Sequence, residues 1–135
     1  MRWPTISRIS LTLLASTIIL IAQSTPVVST DKLDYAPGET VVITGSGFHI
    51  NELIELQVTN LTLGPCPYPT TAYDPWFVMS DGTGGFTATW YVDPAACVLG
   101  SSFLLTADCA HGLHAETTFT DAASANLDQA RNGGV

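Results

Sequence analysis

Positive charge is nearly absent from most of this chain. Beyond residue 24 the only basic residues are Lys32 and Arg131, whereas all twelve carboxylates lie at or after Asp31. Two basic residues against twelve acidic ones give that part a formal charge of −10. Binding a polyanion requires a basic surface that releases counterions. The composition therefore disfavours nucleic acid as a partner.

Helical periodicity is also scarce after residue 24. Short β-branched and aromatic runs alternate instead with clusters of Gly, Pro, Asp and Asn, which is typical of an all-β sandwich. The predicted strands cover residues 27–30, 40–44, 52–59, 76–80, 86–92, 102–107 and 114–120. About seven strands in a domain of this length fit an immunoglobulin-like β-sandwich.

Alternation within two of these strands predicts which side chains face the core. Ile54, Leu56 and Val58 lie on one face of the strand 52–59, because side chains of a strand point alternately to its two faces. Trp90 lies on the apolar face of the strand 86–92. We predict that Trp90 occupies the centre of the core.

The first 24 residues lack a run long enough for a typical membrane span. Arg2 and Arg8 precede an apolar stretch from Ile9 to Ala22, and small polar residues follow it. That order is typical of a secretory signal, and the stretch is shorter than the roughly 20 residues that span a bilayer. We predict a helical signal peptide over residues 1–24, a domain over 25–121 and a polar linker or disordered tail over 122–135. A retained N-terminal anchor is the alternative for the first segment.

Cysteine is sparse, with Cys66, Cys97 and Cys109 alone. An exported chain with three cysteines favours one disulfide and one spare thiol. If the strands run alternately up and down, the loops that hold Cys66 and Cys97 share one pole, and Cys109 lies roughly 20 Å away. A bridge requires Cα atoms within about 7 Å. We therefore predict a Cys66–Cys97 disulfide and a free Cys109; the alternative is three buried, unbridged thiols.

Patterns that would indicate an enzyme are missing. The sequence contains no Gly-x-Ser-x-Gly nucleophile elbow. Glu52 and Glu55 are three residues apart on one predicted strand, so we expect them on opposite faces, as solvated charges. The sequence predicts no catalytic residue and no cofactor.

One short cluster contains residue types that bind metals. Cys109, His111 and His114 lie within six residues of one another, and thiolate with imidazole suits zinc or copper. A surface hairpin turn, in which these residues bind nothing, is the interpretation that we favour.

The most distinctive predicted surface is the segment 60–76, which is rich in Pro, Tyr and Thr. Tyr68, Tyr73 and Trp76 are aromatic residues with one polar end, and such residues stack on sugars or on partner proteins. They are our candidate partner-binding residues. The alternative is a loop that folds over one end of the core.

Four motifs follow one another between residues 29 and 121. They are Asp31-Lys32-x-x-Tyr35-x-Pro37-Gly38-Glu39 with Gly45-x-Gly47-Phe48 after the next strand, Asp81-Gly82-x-Gly84-x-Phe86-x-x-x-Trp90, Gly100-x-x-Phe103-x-Leu105-Thr106-Ala107, and Ala115-Glu116-Thr117-Thr118-Phe119-Thr120-Asp121. In this order they resemble bacterial immunoglobulin-like surface repeats.

The resemblance implies a non-catalytic extracellular module, secreted or on the cell surface, that acts as a spacer or adhesive unit. Its partners would be other extracellular domains or proteins, with glycans as a further possibility. Such repeats usually lack cysteine, so the three cysteines and the Pro-rich loop are departures. The alternative function is a carbohydrate-binding accessory module that uses the aromatic segment 60–76.

Overall fold

A computed structural model of the chain describes Arg2, Pro4 and residues 15–19, 24–62, 71–94 and 100–121. None of these residues lies in a helix, so the signal helix predicted within residues 1–24 is not confirmed. Within the same residues there is no helix with the length and hydropathy needed to cross a membrane.

The described residues form eight strands. They are β1 (Val27–Thr30), β2 (Asp34–Tyr35), β3 (Thr40–Ser46), β4 (Leu53–Asn60), β5 (Trp76–Met79), β6 (Phe86–Tyr91), β7 (Ser102–Cys109) and β8 (His114–Asp121). All seven predicted strands are present, and each end agrees within two residues. The structure adds β2, which pairs with the end of β8 in parallel. Two residues are too few for alternation to reveal.

The strands lie in two sheets that share one core. One sheet has the order β1-β3-β6, and the other has the order β2-β8-β7-β4-β5. Buried residues from both sheets form a single hydrophobic cluster. The architecture is therefore all-β with two layers, consistent with a β-sandwich. The chain crosses between the sheets after β1, β2, β3, β5 and β6, so the strands are not neighbours in simple chain order.

The predicted inward faces are confirmed. Ile54, Leu56 and Val58 are completely buried, and Trp90 is 7% exposed. The indole of Trp90 lies 5.4 Å from the ring of Phe103 and 5.8 Å from that of Phe119, measured between ring centroids. Trp90 therefore joins the three-stranded sheet to the five-stranded one.

A buried tyrosine fixes the crossing between β1 and β3. The Tyr35 hydroxyl donates a hydrogen bond of 2.6 Å to Asp31 Oδ1 and accepts one of 2.8 Å from the Lys32 N–H. Asp31 Oδ1 also accepts a bond of 2.8 Å from the Val42 N–H. The bond from the Tyr35 hydroxyl is the main reason that the pKa of Asp31 lies below its usual value, and the bond from the Val42 N–H is the second. The ring of Tyr35 is fully buried and meets Phe119 edge-on.

Candidate functional sites

A groove of about 460 Å³ opens beside β5 and the end of β6. We call it the aromatic groove. Its walls are Thr71, Ala72, Asp74, Trp76, Thr89, Trp90, Tyr91 and Asp93. The ring of Trp76 is half-buried, whereas Tyr91 is 55% exposed. Two aromatic side chains are therefore accessible at one surface.

The predicted binding residues divide between this groove and the core. Trp76 lines the groove, as predicted. The ring of Tyr73 packs on Trp90 with centroids 6.2 Å apart, and its hydroxyl is buried, which raises the pKa of Tyr73. Tyr73 therefore serves the core more than the surface, and Tyr68 lies outside the described residues. Tyr91 was missed, although the alternation that places Trp90 inward also places Tyr91 outward.

The polar groups of the aromatic groove determine which ligands it can attract. The carboxylates of Asp74 and Asp93 and the hydroxyls of Thr71 and Thr89 are hydrogen-bond acceptors beside the aromatic rings. Every charged residue among the described lining is acidic. A neutral sugar can stack on such rings and donate its hydroxyls, whereas an anionic sugar is repelled.

The three candidate metal ligands, Cys109, His111 and His114, do not come together. Cys109 is buried at the end of β7. His111 turns toward Glu52, while His114 Nδ1 lies 2.6 Å from Asp108 Oδ1; that contact is the main reason that the pKa of His114 is raised. Within the described ranges, no three His, Cys, Asp or Glu side chains are arranged to hold a metal ion.

A second groove, of about 530 Å³, lies at the opposite end of β4. We call it the Glu52 groove. It is lined by His49, Ile50, Asn51, Glu52, Leu53, Met79, Ala110 and His111. The segment before β4, the end of β5 and the turn between β7 and β8 meet there. Most of the wall is apolar.

Glu52 is not the solvated charge that its position suggested. Its side chain is only 9% exposed, whereas that of His111 is 74% exposed. The Nδ1 of His111 contacts Glu52 Oε1, and this hydrogen bond is the main reason that the pKa of Glu52 lies below its usual value. Our expectation for Glu52 was wrong because the residue precedes β4 and turns beneath the β7–β8 turn.

The disulfide prediction depends on which chain segments lie at the same pole of the domain, and the described residues agree with the predicted arrangement. The end of β4 and the start of β7 lie at one pole, where the Leu61 N–H donates a 2.8 Å bond to the Ser102 carbonyl. Cys109 pairs with Ile54 in the sheet, six residues along β4 from Asn60, which is roughly 20 Å. Cys109 is a buried free thiol. Cys66 and Cys97 lie outside the described residues, so their pairing stays a prediction.

Thiol labelling tests that pairing. We expect the exported protein, denatured without reductant, to take up a label on Cys109 only, because Cys66 and Cys97 are consumed in a disulfide. After reduction all three should react. Mass spectrometry of the peptides locates the label. Labelled Cys66 or Cys97 in the unreduced sample would disprove the bridge.

Comparison with known proteins gives a likeness of fold. No protein-family model and no curated protein matches the chain. Its structure is similar to that of macromomycin, with a TM-score of 0.53 and 18% identity over 73% of this chain and all of macromomycin. A weaker likeness is to the superoxide reductase (neelaredoxin) of Ignicoccus hospitalis, with a TM-score of 0.44 and 15% identity over 72% of this chain and 80% of the reductase. Another is to Spo0M, a sporulation control protein of Bacillus subtilis, with a TM-score of 0.43 and 16% identity over 84% of this chain and 57% of Spo0M. At these identities only the macromomycin likeness is informative, and it concerns the all-β fold.

Proposed function

We propose that this chain is a non-catalytic, immunoglobulin-like module of a secreted or cell-surface protein of the bacterial surface-repeat type, and that it acts as a spacer or interaction domain. The observation that carries the proposal is the position of the motif residues. Each of the four motifs contributes an aromatic residue that packs between strands or sheets.

One aromatic residue from each of the last three motifs belongs to a single cluster. Trp90, Phe103 and Phe119 each come from a different motif, and their ring centroids lie 5.2 to 5.8 Å apart. Gly45 of the first motif has a related role. A Cβ on Gly45 would lie 2.0 Å from the Phe86 ring, so only glycine allows that ring to cover β3. The motif residues therefore support a module in which their role is to maintain the fold.

An open edge favours contact with a neighbouring domain. Within the described part of the chain, β5 is the last strand of the five-stranded sheet and pairs with β4 alone. Phe77 and Met79 on this strand are 56% and 59% exposed. Exposed apolar edge strands commonly accept another strand or pack on a partner.

Export is the part of the proposal that one experiment can decide. The full chain, expressed in a bacterial host, should appear outside the cytoplasm with an N-terminus near residue 25. Ile18→Arg interrupts the apolar run and should keep the protein inside the cell. Leu33→Arg places the same charge on an exposed side chain of the domain and should leave export unchanged. A cytoplasmic product that retains Met1 would contradict the proposal.

Carbohydrate binding is the second candidate, and the aromatic groove favours it. A glycan array should then show binding of neutral glycans and silence from sulfated or uronic glycans. Tyr91→Ala should weaken binding about tenfold through loss of a stacking ring and its desolvated contact. Phe77→Ala removes an equally exposed ring outside the groove and should have no effect. Silence across the array would remove this candidate and leave the spacer role.

A further inference from the structure

The Glu52 groove has a floor and walls of different chemistry. The floor carries the carboxylate of Glu52, and the exposed side chains of Ile50, Leu53 and Met79 form apolar walls. Its volume of about 530 Å³ lies within the range of small-molecule sites, which are mostly apolar with a few fixed polar groups.

The carboxylate of Glu52 has a buried oxygen that lacks a strong donor among the described residues. Among the described residues, Oε1 is approached by His111 Nδ1, and Oε2 is buried without a hydrogen-bond partner. The Cys109 thiol, which is a weak donor, also interacts with this carboxylate. An unsatisfied buried carboxylate oxygen is costly, since folding removes its water without replacing it. The position is therefore one that a donor from outside the chain would stabilise.

The backbone holds Glu52 in this position. The Glu52 N–H donates a 2.8 Å bond to Ser80 Oγ, and the Ser80 N–H donates a 2.9 Å bond to the Glu52 carbonyl. Ser80 Oγ also donates to the His49 carbonyl at 2.5 Å, and Ser80 is 1% exposed. Asn51, which lies between His49 and Glu52 in the sequence, has a φ of +53°, a left-handed conformation that Asn tolerates. The floor of the groove is thus preorganised.

We propose that the Glu52 groove binds a small organic ligand that carries a primary ammonium group on an apolar body. The ammonium donates to the carboxylate of Glu52, and the apolar body packs on Leu53 and Met79. The formal charge of −10 beyond residue 24 favours a cation over an anion. A primary ammonium has three N–H donors, whereas a quaternary ammonium has none to give to the carboxylate.

His111 weakens ligand binding at this site, and the groove does not need it in order to form. Its side chain lies on the turn between β7 and β8 and is 74% exposed, so it can leave Glu52 without disturbing the core. His111 Nδ1 contacts the same carboxylate that the ligand needs, so the imidazole competes with the ammonium for it. Its removal should therefore strengthen ammonium binding, which is the opposite of the effect expected if the imidazole were a ligand-binding group.

The test uses benzylammonium as the probe and follows its binding to the full exported chain by NMR and calorimetry at neutral pH. We expect binding that shifts the signals of Leu53 and Met79, with benzyl alcohol, benzoate and benzyltrimethylammonium at least tenfold weaker. Glu52→Gln should weaken binding at least tenfold, because it removes a charge-assisted hydrogen bond. Glu55→Gln makes the same change on the exposed face of β4 and should leave binding within about twofold.

His111→Ala separates the proposal from its competitors. We expect this variant to bind benzylammonium severalfold more tightly than the unaltered chain. Equal binding of benzyl alcohol, or undiminished binding to a folded Glu52→Gln variant, would overturn the proposal. Tight binding of Zn²⁺ that is lost in both His49→Ala and His111→Ala, without binding of the amine, would also overturn it and assign the groove to a metal. Circular dichroism verifies that each variant is folded.

Discussion

Replacing Trp90 with alanine should lower the free energy of unfolding by about 3–5 kcal/mol, as expected for an aromatic side chain deleted from a core. The indole is 7% exposed and lies between the two sheets, against Phe103 and Phe119. Its Nε1–H also donates a 2.8 Å bond to the Ala72 carbonyl. The variant therefore loses packing on both sheets and the hydrogen bond to the Ala72 carbonyl.

Two variants separate these contributions. Trp90→Phe keeps an aromatic ring but loses the bond to Ala72, so its cost should be smaller, about 1–2 kcal/mol. Tyr91→Ala removes the next side chain on the outer face of β6, which is 55% exposed, and should cost less than about 1 kcal/mol. Urea denaturation followed by circular dichroism measures all three. A cost for Trp90→Ala no larger than that for Tyr91→Ala would show that the sheets do not depend on this ring.

Much of the fold was predictable because it depends on local alternation. The period of two in β4 identified Ile54, Leu56 and Val58 as buried, and the same pattern in β6 identified Trp90. Strand β2 was not predictable in this way. Its formation depends on Tyr35, whose buried hydroxyl bonds to Asp31, and no pattern of hydropathy shows that contact.

The candidate sites were less predictable than the fold, because they depend on which chain segments meet at a pole. Cys109, His111 and His114 are neighbours in sequence, yet their side chains lie in different surroundings. Glu52 meets His111 from 59 residues away. That contact follows from the β4–β7 register, in which Ile54 lies opposite Cys109. Sequence alternation predicts the face of a side chain but not the register between distant strands.

Replacing Gly84 with alanine should destabilise the domain by about 3 kcal/mol or more. The φ of Gly84 is +78°, and a Cβ there would lie 2.1 Å from the carbonyl oxygen of Phe48. The left-handed backbone alone costs an L-residue about 1–2 kcal/mol. The steric clash adds to this cost, because a backbone carbonyl cannot turn aside as the end of a flexible side chain can.

The contact that this variant would break connects two turns at one end of the domain. The Phe48 N–H donates a 3.1 Å bond to the Gly84 carbonyl, and the Phe48 ring packs on Phe86 with centroids 5.6 Å apart. Asp81 Oδ1 fixes the second turn by accepting bonds from the N–H groups of Thr83 and Gly85 at 2.8 and 3.0 Å. Neither turn can therefore move away without losing bonds of its own.

Gly82→Ala is the matched control, since it adds the same methyl group two residues earlier in the same turn. No atom lies within 4 Å of a Cβ at Gly82, and its φ is not positive. We expect a change within about 0.5 kcal/mol, or a small gain, because alanine restricts the unfolded chain. Urea denaturation of both variants, with NMR shifts of Phe48 as a local readout, distinguishes the two positions. Equal stability of the two variants would mean that the close approach between Gly84 and Phe48 does not exist in solution, and the Gly-x-Gly-Phe and Asp-Gly-x-Gly motifs would then need another explanation.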